Sequence, residues 1–167
     1  EEHPAVYLIS CHAQNFGESD LVNRIQGNSE VLRCRMLIRP VFAHPGFMMR
    51  RELIKEGFFY DETFRTAQDY EFAVRVAKAH EIGMVPEILL HYRVHKKQIS
   101  NTANGNQVTN ADRVRQKQLE QLKITLSGEE QQVYHDWVYE RNPKNFEEFL
   151  EASALIQKLV TANEKAG

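Results

Sequence analysis

Thr66-Ala67-Gln68-Asp69-Tyr70-Glu71-Phe72-Ala73-Val74-Arg75-Val76-Ala77-Lys78-Ala79-His80 changes period before Ile88-Leu89-Leu90-His91-Tyr92-Arg93-Val94-His95. In the first run Phe72, Ala73, Val76, Ala77 and His80 recur at helical spacing, which predicts a helix over Gln68 to His80 with one apolar stripe. Glu71 and Arg75 can pair across one turn of it. Pro86 interrupts the chain, and the second run then alternates as a strand does. Leu90, Tyr92 and Val94 fall on one side, and His91, Arg93 and His95 on the other. A helix delivering a strand in this way sets the class of the first part as α/β.

Working outward, Ala5 to Cys11 is short, apolar and partly β-branched or aromatic, and reads as a buried strand. Asn15 to Asn28 is rich in Gly, Ser, Asn and charge, which predicts a loop. Ser29 to Leu37 fits a short helix with Ser29 as cap and Val31, Leu32 and Met36 inward, ended by Pro40. Gly46 to Met49 is strand-like and leads into a short helix, Arg51 to Glu56, closed by Gly57. Near residue 105 the composition shifts to long polar stretches with helical spacing. Thr109 to Leu126 carries Val114, Leu119, Leu122 and Leu126 on one face. Ser127 to Glu130 is a capping box with Val133 and Trp137 inward beyond it. Asn145 caps a third helix whose inward set is predicted as Phe146, Phe149, Leu150, Ser153, Ile156 and Val160. The chain thus divides into an α/β part over residues 1–105 and an all-helical C-terminal extension of about three helices over 106–167.

At 167 residues, with 42% hydrophobic and 26% charged side chains, the chain is long and apolar enough to build a core. Its formal net charge of −2 gives no electrostatic case for nucleic acid. No apolar run approaches the ~18 residues of a membrane helix, so no transmembrane segment is expected. Cys11 and Cys34 do not make a disulfide framework; as small core residues they point to a reducing compartment. The opening Glu1-Glu2-His3-Pro4, with no initiator Met, reads as an excised or processed piece. Phosphate-binding glycine loops, Cys-x-x-Cys pairs and Gly-x-Ser-x-Gly elbows are missing from the sequence.

Two groupings carry chemistry. Asp69 lies at the head of the predicted helix. It either completes a variant capping box with Thr66 or faces a cleft as a general base, and the positive end of the helix dipole favours an ionised carboxyl in both cases. His91, Arg93 and His95 share a strand face, which either is simply solvated or offers a guanidinium fork for phosphate and an imidazole for a divalent metal. His91-x-x-x-His95 lacks the glutamate of a zincin helix and falls on a strand pattern. His44, before the Pro45-Gly46 turn, can satisfy a carbonyl or face a site. Arg50, Arg51 and Lys55 fit a solvated helix edge, and Trp137 with Tyr134 and Tyr139 fits helix packing.

Order and spacing add a resemblance. His44-Pro45-x-Phe47-Met48-Met49-Arg50-Arg51-Glu52-Leu53 is followed by Gly57-Phe58-Phe59-Tyr60-Asp61-Glu62-x-Phe64 and Ala67-Gln68-Asp69-Tyr70-Glu71-Phe72-x-x-Arg75-x-Ala77. Val85-Pro86-Glu87-Ile88-Leu89-Leu90-x-Tyr92-Arg93-Val94-His95 and Ile99-Ser100 complete the series. This succession resembles the acceptor-side half of family 2 glycosyltransferases of the GT-A fold. The resemblance covers about residues 1–105 and is specific between 40 and 100; the helical tail carries none of it.

The resemblance implies an α/β half-domain with a few mixed strands. It implies a parent enzyme that transfers a sugar from a nucleotide-diphosphate sugar to an acceptor hydroxyl with inversion, in polysaccharide or glycoconjugate synthesis. Asp69 would be the catalytic base; His44, Gln68 and Arg93 would contact substrate; His95 would help hold a divalent metal, Mn2+ or Mg2+. A cytoplasmic setting, at most peripheral at the inner face of the membrane, goes with that activity. Two departures stand out. Gln68 occupies a position that is usually Glu, and the nucleotide-binding front half with its D-x-D motif is missing; Glu18-Ser19-Asp20 lies on the wrong side of the first strand to replace it. The piece alone is therefore expected to be inactive and to self-associate through exposed sheet edges. Rival readings are a non-catalytic helical interaction module and a metal-dependent hydrolase using His91 and His95.

Overall fold

A computed structural model describes residues 3–96, 104–139 and 145–166. The Ile99-Ser100 end of the last sequence block lies outside the described residues. The chain forms two compact units, one of Glu1–Met36 with Pro40–Val114 and one of Leu37–Arg39 with Arg115–Gly167.

The first unit is mixed α/β, built on a four-stranded sheet. Its central strand, β1 (Val6–Gly17), pairs in parallel with β4 (Glu81–Val94) along one edge. Along the other it pairs antiparallel with two short strands, β2 (Val22–Asn23) and β3 (Met48–Met49). β1 buries Leu8, Ser10 and His12, the two-residue period of a strand. The polar members of that row are satisfied. Ser10 Oγ donates to the Ala43 carbonyl at 3.3 Å, and His12 Nε2 meets the Ile25 carbonyl at 3.0 Å.

β1 runs six residues beyond the predicted Cys11, so the expected loop from Asn15 begins only after Gly17. Pairing explains the extension: β4 continues alongside, Gln14 with His91 and Gly17 with Val94, and hydrogen bonds along a neighbour outweigh weak local propensity. Gly17 sits at φ +93, and a Cβ there would lie 2.6 Å from the Val94 carbonyl oxygen, so only glycine closes this end of the strand pair.

Pro86 does not end the strand before it. Cys11 pairs with Val85 and His12 with Ile88, which leaves Pro86 and Glu87 as a bulge, where a residue without an N–H costs no ladder bond. Beyond the bulge Ile88, Leu90, Tyr92 and Val94 are half-buried while Leu89, His91 and Arg93 are exposed, the alternation expected from sequence.

Three helices pack with this sheet. In α1 (Ser29–Met36), Leu32 and Met36 are buried. Val31, expected inward, is exposed, and Asn28 rather than Ser29 caps the helix by accepting the Val31 N–H at 3.0 Å. Ser29 Oγ instead accepts the Ile82 N–H at 3.1 Å, tying α1 to the start of β4. A 3-10 turn (His44–Gly46), β3 and α2 (Glu52–Lys55) follow. Arg50 is not part of a solvated edge: its Nε donates to the Val6 carbonyl at 2.7 Å and its guanidinium lies over the Tyr7 ring. α3 (Gln68–Ala79) buries Tyr70, Phe72, Ala73, Val76 and Ala77 against Leu8, Leu32, Met36 and Leu53. The Tyr70 hydroxyl donates to the Met36 carbonyl.

The second unit is helical. α4 (Asn104–Gln121) crosses the division between units, with Val114 in the first core and Leu119 in the second. The break therefore falls inside this helix, whereas composition changes near residue 105. α5 (Gly128–Tyr139) opens on the expected capping box: Ser127 N–H reaches Glu130 Oε2 at 2.8 Å and Glu130 N–H reaches Ser127 Oγ at 3.2 Å. Asn145 Oδ1 caps α6 (Phe146–Ala166) through the Glu148 N–H at 2.9 Å.

The α6 core face differs from the predicted one. Ala152, Leu155 and Leu159 are buried, whereas Phe146, Phe149, Leu150, Ile156 and Val160 are exposed. α6 carries two apolar stripes, and the less bulky one packs with Leu119, Tyr134 and Val138. Among the described residues, no helix is long and apolar enough to cross a membrane.

Candidate active site

Asp69 enters the structure through the local conformation at the head of α3. The capping box expected from Thr66 does not form. Ala67 is the N-cap in left-handed conformation, φ +59, and makes no side-chain cap bond. Thr66 Oγ1 is occupied by Asn110 Nδ2 at 3.0 Å. Asp69 is consequently the second helical residue, and its Oδ1 accepts the Tyr70 N–H at 2.9 Å. Asp69 is half-buried in the first turn of the helix.

Tyr60, in the loop before α3, connects Asp69 to His44. Its hydroxyl and His44 Nε2 share a hydrogen bond of 2.9 Å. Its ring lies 4.8 Å from Phe72 and 5.7 Å from His44, and His44 also packs edge-on to Phe47 at 5.1 Å. Burial pushes the Tyr60 phenol above its ordinary range, and the nearby Asp69 charge pushes it the same way. Either group can supply the shared hydrogen, the phenol hydroxyl or His44 Nε2–H, according to the imidazole tautomer. Tyr60 was assigned no role from sequence, although an aromatic with a polar tip between two helices is a fair signal of one.

The flank is held rigidly. Arg75 Nε binds Glu71 Oε1 at 2.7 Å, the expected one-turn pair, and Arg75 Nη2 donates to the Phe59 carbonyl at 2.5 Å, fixing the residue beside Tyr60. The other Glu71 oxygen is buried without a hydrogen-bond partner among the described residues. Gln68, first residue of α3, is half-buried next to Asp69.

Arg93 and His95 stand elsewhere. A Cβ at Gly46, next to His44, would touch Ser10 and Cys11, which fixes the His44 turn at that level of β1. Arg93 pairs with Phe16, five residues on and roughly 16 Å farther along the strand. No hydrogen bond or ion pair joins Asp69 to Arg93. His44 and Tyr60 stand together beside Phe72 of α3, which Asp69 heads, and His91, Arg93 and His95 are exposed at the far end of β4. Among the described residues, no three His, Cys, Asp or Glu side chains gather as a metal-ligand set.

A pocket of about 190 Å³ is lined by Cys11, His12, Asn23, Phe42, Ala43 and Met84. It is below the ~300 Å³ at which small-molecule sites usually begin. Neither cysteine is in a disulfide, and both are part-exposed rather than core residues. Burial first, then the Glu30 charge, raises Cys34 above the ordinary thiol range, which leaves it a poor nucleophile. No family model, curated protein or solved structure matches this chain.

Proposed function

We propose that this chain supplies the acceptor-side wall of an inverting sugar transferase, with Asp69 as the base that removes the acceptor proton. The observation that carries the reading is the convergence of three separated sequence blocks. His44, Tyr60 and Asp69 come from three of the five blocks of the family resemblance: Tyr60 shares a hydrogen bond with His44 and packs its ring on Phe72 of α3, the helix that Asp69 heads. In this role the Asp69 carboxylate accepts the proton as the acceptor oxygen attacks the anomeric carbon. Tyr60 and His44 give the acceptor a wall of two rings, each with a polar tip. The bond to the diphosphate breaks as the new glycosidic bond forms, and the proton ends on Asp69.

The nucleotide-diphosphate donor and any Mn2+ or Mg2+ belong to a segment outside these 167 residues in this proposal. The sequence has no D-x-D motif, and the small pocket beside His44 is no home for a nucleotide sugar. When bound, such a metal would stabilise the departing diphosphate. Arg93 remains a candidate phosphate contact only if donor phosphates reach the far end of β4. The proposed setting is cytoplasmic or peripheral at the inner membrane face, in polysaccharide or glycoconjugate synthesis.

The test joins the chain to a nucleotide-binding half and follows sugar transfer. Asp69→Asn is expected to lower kcat by about 10²- to 10⁴-fold, with KM for the donor little changed. Activity equal to that of the unsubstituted enzyme would leave the chain a binding module. The 167-residue chain alone is expected to show neither transfer nor nucleotide-sugar hydrolysis, and turnover with manganese would refute the division of labour.

A further inference from the structure

The central strand has a gap between its two short neighbours. On the edge of β1 away from β4, β3 pairs with Leu8 and Ile9 and β2 with Ala13 and Gln14. Ser10, Cys11 and His12 have no strand beside them on that edge. Residues 40–43 run there instead, held by the Ser10 Oγ bond to the Ala43 carbonyl, and bury Val41 and Phe42. The pocket of about 190 Å³ lies in this gap, since Cys11, His12 and Ala13 of β1, Asn23 of β2 and residues 40–43 all line it.

His12 gives the pocket its chemistry. The residue is only 4% exposed, and its Nε2 meets the Ile25 carbonyl at 3.0 Å. A carbonyl oxygen can only accept, so Nε2 carries the hydrogen. In the neutral ring the lone pair is thereby fixed on Nδ1, and among the described residues no donor is bonded to it. A buried acceptor of this kind is costly to leave unmet.

We infer that this pocket binds a small uncharged ring compound bearing a hydroxyl, whose O–H donates to His12 Nδ1. Size, walls and charge select the ring. An apolar cavity of roughly 150 Å³ holds one benzene, so the pocket admits one substituted six-membered ring and excludes a nucleotide. Ile25, Val41, Phe42 and Met84 supply apolar walls, with an aromatic edge and a thioether that both favour an aromatic guest. Among the described residues, no Lys, Arg, Asp or Glu lines the pocket, so an ionic ligand would lose its hydration without gaining a counter-charge. His12 selects the hydroxyl. A bare hydrocarbon would cover Nδ1 and leave it without a donor, whereas a hydroxyl satisfies it.

This site does not depend on the transferase reading. The experiment titrates the 167-residue chain with phenol and with toluene, which puts a methyl group in place of the hydroxyl. Amide and imidazole 15N resonances are followed by NMR. Phenol is expected to move the amides of Cys11, His12, Asn23 and Ala43, with a Kd on the order of 1 mM for so few atoms. Toluene is expected to bind about 5-fold more weakly or worse, the reverse of the order that transfer from water to hydrocarbon alone would give. The His12 Nδ1 resonance is expected to move upfield with phenol and to stay in place with toluene. His12→Phe removes the acceptor and is expected to bring phenol down to the affinity of toluene. Where that variant does not fold, the two ligands and the Nδ1 resonance of the unsubstituted chain decide alone. Phenol that binds no tighter than toluene overturns the inference. So does an Nδ1 resonance that phenol leaves in place, or a set of shifted amides that lies outside the pocket, such as on the exposed apolar residues of α6.

Discussion

Tyr60 ties the proposed chemistry to one measurable property. Burial and the Asp69 charge both disfavour its phenolate, so it titrates above an ordinary tyrosine. The raised native value means that its contribution to stability is full below about pH 10 and is lost as pH rises through the native value. Stability is therefore expected to fall on the alkaline side, and Tyr60→Phe to remove that part of the fall, as read from urea midpoints between pH 8 and 11. Asp69→Asn should lower the Tyr60 titration midpoint when tyrosinate absorbance is followed near 295 nm. An unmoved midpoint would place the carboxylate out of electrostatic reach of the phenol and dissolve the cluster. Asp69, Gln68 and His44 were legible as residue types in ordered blocks. Their meeting through Tyr60 was not, because a loop side chain's direction depends on what packs beneath it, here Phe72. Arg93 and His95 illustrate the converse. Alternation placed them on one strand face, yet distance along a strand from a helix N-terminus is set by the register of β4 on β1, which local pattern does not encode.

At the scale of elements, caps were the most readable feature where the signal was reciprocal. The Ser127–Glu130 box formed as its sequence required, since both partners lie within one turn. Ser127→Ala is expected to cost about 1 kcal/mol in urea unfolding. Glu130 also binds Lys158 Nζ at 2.7 Å, and the Lys158 bond first, then the Ser127 N–H, lowers its pKa. A lowered native value gives stability that is complete above the ordinary glutamate range, near pH 4.5, and is lost as pH falls through the native value. The acid limb of the stability curve should thus flatten in Lys158→Met. The pair is half-exposed, so a small effect is expected. Thr66 failed as a cap because Asn110, a residue of α4, occupies its hydroxyl; a contact across 44 residues overrode a local one. α6 was misread for a different reason. Helical period identifies apolar stripes but not which one faces the core, and the bulkier stripe was the wrong choice.

The whole molecule contains two cores with separate membership, and the chain passes between their units on either side of Leu37–Arg39 and again within α4. Leu8, Leu32, Leu53 and Val76 are fully buried in the first; Leu119, Leu155 and Leu159 lie in the second. The only tryptophan, Trp137, packs against the second core, so its fluorescence reports that unit alone. Each truncation, Val76→Ala or Leu159→Ala, removes buried methyl groups and leaves a cavity, at a cost of about 1–4 kcal/mol. Leu159→Ala is expected to shift the Trp137 unfolding midpoint strongly. Val76→Ala should instead shift the near-UV circular dichroism from the tyrosines of the first unit, including Tyr70, and leave the Trp137 midpoint nearly in place. α4 contributes Val114 to one core and Leu119 to the other, and Met36 and Ile38 divide in the same way, so unfolding of one unit has these two segments through which to spread. Equal shifts of both signals by either truncation would mean that these segments transmit the loss completely and that the chain unfolds as a single cooperative body.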